Sequence, residues 1–322
     1  MALPPDNNRP IDSSVVLGRN TKTEKDVIFL ELSDVNYPFG LNLLTCSEPN
    51  NPVAVQEVVD RYLHVFKMLW HIGKDTPRLE NTLRASLLTL AINNLTIAEM
   101  SCLLKDTAFR KRCIDAIPVA FATEGLRGFW KYDFNELYVQ DQLKYPDSSL
   151  NKVLHLLMVQ EVAFVVGQSK TTIDFQKVMD EKKIVLVKLD AWRSPGTSVT
   201  FIGSLLLALL LNAAYSRSAI DRKKEKQFNL YIDTLLHFAT EYLATLITEA
   251  RKLNMATILA HEFRDQLDTQ LKGVTLTVAN LVAFQVSSQD AKNLAELFAI
   301  TSSVDEKNYD DMVNQIAREL VS

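Results

Sequence analysis

Asp233 is the residue whose type and setting come nearest to chemistry. It closes the apolar run Phe228-Asn-Leu-Tyr-Ile232 and is followed at once by Thr234. A buried strand ending in an aspartate can hold a nucleotide's Mg²⁺ through water. Strands also end in Asp for turn reasons, so metal duty and turn duty both stay open. Metal duty needs a partner: a cradle of backbone N–H groups and a lysine for the phosphates, written G-x-x-x-x-G-K-[ST]. None of the nine glycines begins that pattern. The nearest approach follows Gly18, where Glu24 and Lys25 occupy the positions that require Lys and then Ser or Thr. An apolar, β-branched run begins at Asp26, eight residues after Gly18. That leaves no room for the helix of several turns that a phosphate loop must open, and Gly18 is rejected in that role.

Other reactive side chains form no comparable set. His64 and His71 are seven apart and share a helix face, but no third ligand stands near them, so structural histidines are expected. His261 adjoins Glu262 as an acid/base pair would, yet adjacent strand residues point to opposite faces, and a structural role is expected there too. Arg110, Lys111 and Arg112 have the charge to touch a phosphate backbone; the expectation is a solvated helix end. Trp70, Trp130 and Trp192 read as core or interface aromatics. Cys46, Cys102 and Cys113 have no C-x-x-C spacing, which points away from zinc and disulfides and towards a reducing, cytoplasmic location. No Ser-His-Asp or Cys-His set can be assembled from spacing.

Elements must position Asp233, and their order is legible. Asp26–Asp34 reads as a buried strand, after which Pro38 and Gly40 turn the chain. Asn51 and Pro52 signal a helix start, and Val55, Val58, Val59, Tyr62, Leu63, Phe66, Leu69 and Trp70 then fall at helical spacing. Leu79, Leu83, Leu87, Leu90 and Ala91 line a second helix, and Thr96 to Glu99 is a capping box opening another, so 52–165 is expected to be all-helical. Beyond Gly167 the period alternates. Strands are expected at 184–189, 228–233, 256–262 and within Leu276–Val286, with helices at about 199–218 and 236–253 and from near Ser288. Strands separated by amphipathic helices predict a doubly wound parallel layer over 167–300.

Bulk properties set the outer limits. With 322 residues, 47% of them hydrophobic, the chain can bury one large core or two moderate ones. A formal charge of −4 gives no overall basic footprint, so nucleic-acid contact would have to come from local patches. The start, Met1 to Ser14, is polar and Pro-rich, unlike a signal peptide. From Phe201, about fourteen apolar-dominated residues interrupted by Gly203 and Ser204 fall short of the roughly 20 that span a bilayer, so a buried helix and no membrane segment are expected.

Taken whole, Tyr231 to Leu267 resembles a segment of conjugative coupling proteins and the wider HerA/FtsK motor ATPases: a strand ending in Asp-Glu, a helix, a Glu-Ala-Arg-Lys turn and a strand ending in Ala-His-Gln. Segments 33–44, 77–90, 103–112, 128–134, 173–189 and 286–298 resemble TraG/TraD-like conjugation proteins in the same order, so the likeness runs from about residue 14 to 300. The resemblance implies an α/β, RecA-like P-loop NTPase core with an inserted all-helical domain. The expected division is 1–51 with one core strand, 52–165 helical, and 166–322 as the core bearing the Walker B-like strand. Such proteins usually form hexameric rings that pump DNA with ATP. By position, Asp233 matches the Walker B aspartate that orders Mg²⁺, Arg251 the arginine finger that reaches a neighbouring subunit's γ-phosphate, and Glu262 a sensing glutamine.

Departures from that pattern are as informative. The family's water-polarising glutamate is Thr234 here, whose neutral hydroxyl is too weak a base near pH 7. Glu262 puts an anion where a γ-phosphate would sit, which repels nucleotide unless it is protonated or paired. The phosphate-loop portion and its central strand are expected to be missing. Unpaired neighbouring strands would invite self-association or a related ATPase subunit, and either Ser13–Gly18 or another chain fills the slot. The expectation is a degenerate coupling-protein relative, a pseudo-ATPase alone, that uses ATP and Mg²⁺ only with a phosphate loop supplied in trans. DNA remains an open partner.

Overall fold

The computed structural model describes residues 26–42, 44–46, 48–70, 72, 76–121, 124–134, 144–189, 196–217, 225–235, 241–264, 267, 269–301 and 309–321. Ser13–Gly18, His71 and Trp192 lie outside them. By contacts the chain divides into two compact units, Met1–Lys226 and Gln227–Ser322.

In the first unit, β1 (Val27–Glu31) pairs in parallel with β2 (Ile184–Lys188), Val27 opposite Ile184 and Glu31 opposite Lys188. Ion pairs brace both ends: Lys183 Nζ to Asp26 Oδ1 and Lys188 Nζ to Glu31 Oε1, each at 2.9 Å. After β1 the chain is latched to the segment before β2. Leu41 N–H donates to the Val165 carbonyl at 2.9 Å, Thr172 N–H to the Gly40 carbonyl at 3.0 Å, and Asn42 Nδ2 to the Ser169 carbonyl at 3.2 Å. A Cβ on Gly40 would lie 2.3 Å from the Lys170 carbonyl oxygen, so close backbone approach requires this glycine.

Between the strands stand the helices α1 (Pro52–Trp70), α2 (Pro77–Ile92), α3 (Met100–Lys105), α4 (Thr107–Asp115), α5 (Glu124–Gly128), α6 (Lys144–Leu157), α7 (Gln160–Val166) and α8 (Phe175–Asp180). Asn51 caps α1, its Oδ1 accepting from Val53 N–H at 3.1 Å. The Thr96–Glu99 capping box forms: Glu99 Oε2 accepts from Thr96 N–H at 2.8 Å, and Thr96 Oγ1 from Ala98 N–H at 3.1 Å. Phe129, Trp130 and Phe134 cluster where α5 widens into a π-turn, and Trp130 Nε1–H donates to Thr89 Oγ1 at 2.9 Å.

Helix α9 (Gly196–Ser216) is 21 residues long, more than the apolar run alone suggested, because Gly196 to Thr200 join its first turns. Length and hydropathy would let it cross a bilayer, but 78% of its apolar window is buried within the protein. Phe201 stacks on Phe66 of α1 at 5.8 Å. Beyond its end, Arg217 is fully buried and donates from Nε to Asp180 Oδ1 at 3.1 Å.

The second unit carries β3 (Phe228–Ile232) parallel to β4 (Met255–Leu259), with α10 (Glu241–Glu249) between them. Then come α11 (Thr269–Val274), α12 (Ser288–Thr301) and α13 (Tyr309–Val321). Ala295 and Ala299 of α12 meet Val313 of α13, with Met312 and Ile316 packed against them.

Two expectations need correction. Among the described residues the four strands hydrogen-bond as two parallel pairs, β1 with β2 and β3 with β4, so β2 does not pair with β3. No strand forms in Leu276–Val286 either. Alternation of apolar residues marks a strand only where a sheet edge accepts it. Here Val286 N–H bonds the Leu320 carbonyl of α13 at 2.8 Å, while Val282 and Phe284 are 76% and 83% exposed.

Candidate functional site

The ends of β3 and β4 assemble the site. Ala260 N–H donates to the Ile232 carbonyl at 2.9 Å, and Leu235 N–H to the Ala260 carbonyl at 3.0 Å, so pairing continues past both strands. Asp233 and Thr234 leave one strand and His261 and Glu262 the other, at the carboxyl edge where open α/β sheets bind ligands. Asp233, Thr234 and Glu262 are exposed. Thr234 has a φ of 54°, an outlier for a β-branched residue, and its N–H donates to Asp233 Oδ1 at 2.8 Å. Buried Leu235, tied to β4, keeps the chain in that conformation. One carboxylate oxygen of Asp233 is thereby held in place.

Mg²⁺ takes one or two carboxylates when phosphates supply further ligands. Asp233 fits such a role with nucleotide phosphates present; among the described residues no group of three or more His, Cys, Asp or Glu makes a metal cage by itself.

His261 is half-buried, and its Nδ1 has no hydrogen-bond partner among the described residues. Burial, chiefly, and then the positive charge of Arg264 push its pKa below the ordinary imidazole value, while Asp290 pulls the other way. Arg264 and Asp290 are themselves buried. Arg264 N–H donates to Asp290 Oδ2 at 3.2 Å, Arg264 Nη2 to the Lys272 carbonyl at 2.8 Å, and Asp290 N–H to Ser287 Oγ at 3.2 Å. The spacing of residues did not reveal this link between Arg264 and Asp290. Its signal was Asp290 in the first turn of α12 after Ser287, a helix-start pattern with nothing to reveal a partner 26 residues upstream.

Arg251 is exposed on the turn from α10 into β4, at the opposite end of that strand from Glu262. Five strand residues, about 16 Å at 3.3 Å each, separate the two ends. The structure thus brings Asp233, Thr234 and Glu262 to one edge and leaves Arg251 at the other.

The basic run has local partners. Arg110 Nη1 donates to the Leu103 and Leu104 carbonyls at 3.2 and 3.0 Å and its guanidinium lies 4.8 Å from the Phe134 centroid. Lys111 pairs with Asp115 at 2.6 Å, and Arg112 sits over Phe109. His64 is half-buried on α1, and the three cysteines are free thiols.

No family model and no curated protein matches this chain. Among solved structures it is similar to the bacterial conjugative coupling protein TrwBdeltaN70 in an unbound monoclinic form, at 16% identity and a TM-score of 0.49. The alignment covers 86% of this chain and 61% of that one, so the chain spans less than two thirds of that protein's length. The likeness is distant.

Proposed function

We propose that the chain is a degenerate relative of the conjugative DNA-transfer coupling ATPases that does not hydrolyse ATP by itself and serves as a structural or binding subunit. One observation carries this: at the carboxyl edge of β3 and β4, Asp233 is followed by Thr234, and the segment leaving β4 carries Glu262 three residues beyond Leu259. The edge holds an aspartate suited to a nucleotide's metal, followed in the chain by a threonine hydroxyl in place of an acid that could serve as base. Glu262 adds negative charge where a phosphate would approach. No G-x-x-x-x-G-K-[ST] occurs in the sequence to supply compensating donors. The collinear resemblance to coupling proteins supports the family half of the proposal.

Calorimetric titration of the purified chain with ATP, with and without Mg²⁺, tests it. The expected result is no binding tighter than about 100 µM, some 5 kcal/mol, and no DNA-stimulated hydrolysis. Hydrolysis that DNA stimulates and Asp233→Asn abolishes would overturn it.

The position of Arg251 favours a second reading, in which the chain belongs to an ATP-driven DNA translocase whose phosphate loop comes from another subunit. An arginine a strand's length from Asp233 serves a neighbour's site better than its own. That version requires co-purification with an ATPase subunit and loss of the complex's ATPase on Arg251→Ala; an unaffected complex would exclude it.

A further inference from the structure

Within the first unit, Trp70 at the end of α1, Asn151, Lys152, His155 and Leu156 on α6, and Thr197 in the first turn of α9 line an open cleft of about 390 Å³. That size lies at the lower end of small-molecule sites, which run from roughly 300 to 1,000 Å³. Lys152 Nζ stands 5.6 Å from the Trp70 ring centroid, and Phe66 stacks on the same indole at 4.4 Å. The indole is therefore fixed by packing, and the ammonium is drawn to it. Lys152 and His155 are three residues apart and share a face of α6. Among the described residues that line the cleft there is no carboxylate, and the first turn of α9 holds no acid.

A cleft with a fixed aromatic plane and a buried leucine as its apolar part, and an ammonium, an imidazole, an amide and a hydroxyl as its polar part, has a defined complement. We propose that it binds a small oxyanion carried on a flat apolar ring, an aryl phosphate or an aryl carboxylate. The ring packs beside the Trp70 indole, one face of which Phe66 covers, and against Leu156, and the oxyanion takes charge-assisted hydrogen bonds from Lys152 with support from His155 and Thr197. The site is independent of Asp233, which belongs to the other unit.

The test is calorimetric titration of the full chain with phenyl phosphate, benzoate, inorganic phosphate and benzyl alcohol. Phenyl phosphate or benzoate is expected to saturate one site per chain, about tenfold or more tighter than either the anion or the ring alone, and the better of the two names the oxyanion class. Lys152→Ala should weaken that binding about tenfold or more, Lys152→Arg should largely keep it, and Asp233→Asn should leave it unchanged. Circular dichroism checks that each variant folds; should Lys152→Ala fail to fold, His155→Ala and Thr197→Val each give a smaller loss. Equal affinity for phenyl phosphate, benzoate and inorganic phosphate overturns the proposal. So does binding that survives the cleft substitutions or disappears with Asp233→Asn.

Discussion

At the scale of single residues, two side chains near the β3–β4 edge depart from their ordinary state. Thr234 holds a left-handed backbone that costs a β-branched residue about 1 kcal/mol or more. Thr234→Gly is expected to raise the unfolding free energy by about 0.5–1 kcal/mol in urea titrations, after the added chain entropy of glycine is set against the relieved strain. A loss of stability would mean that the hydroxyl contributes more than the backbone costs. His261 has its pKa lowered by burial and by Arg264. The unfolded chain then binds a proton near pH 6.5 that the folded chain refuses, so this histidine's neutral form supports the fold fully above that value. Support drains away as pH falls from about 6.5 towards the depressed folded pKa. Thermal midpoints between about pH 5 and 8 should fall on acidification for the native chain and fall less for His261→Gln. Parallel curves would remove His261 from the account.

At the scale of elements, connections and caps do work that strand patterns do not show. Gly40 read from sequence as a turn; its place proves to be a close crossing with Lys170, 2.3 Å from where a Cβ would lie. The obstacle is backbone carbonyl, which cannot swing aside, so Gly40→Ala should cost about 2 kcal/mol or more by loosening the latch between β1 and β2. Chemical denaturation measures it directly, and a change within about 0.5 kcal/mol would show that the crossing relaxes. Arg110, a candidate phosphate contact by charge, terminates α3 and covers Phe134. Arg110→Ala is accordingly expected to lower stability by about 1 kcal/mol and to leave any DNA affinity unchanged. A DNA-binding defect in a variant of native stability would restore the role that charge alone suggested.

At the scale of the whole molecule, the division into two compact units sets how the chain should respond to denaturant. All three tryptophans, at 70, 130 and 192, fall in Met1–Lys226, whereas helical signal comes from both units. Each unit has its own apolar core, with Tyr62, Phe66 and Phe201 in the first and Leu243, Leu246, Ala295 and Ala299 in the second. Tryptophan fluorescence and far-ultraviolet circular dichroism should therefore give non-coincident urea transitions. Superimposable curves would show that the units unfold as one. By sequence arithmetic the units also differ in charge: 28 basic against 26 acidic residues give +2 for 1–226, and 7 against 13 give −6 for 227–322, summing to the −4 of the chain.

Chemistry that acts over a few neighbouring residues was decided by sequence alone. Asn51 before Pro52 and Thr96 before Glu99 started their helices, β-branched runs became β1 to β4, and Asp233 stood directly after its strand, while the strand expected at 256–262 ended at Leu259 and left Glu262 beyond it. Local sterics and hydrogen bonds within one or two turns suffice for these outcomes. Tertiary structure decided what depends on distant partners: β1 choosing β2 across more than 150 residues, Arg264 meeting Asp290, and Leu276–Val286 leaving its strand pattern unused. Backbone hydrogen bonds carry no residue code, and a buried carboxylate accepts from whichever N–H the packed chain delivers, so neither choice is written in spacing.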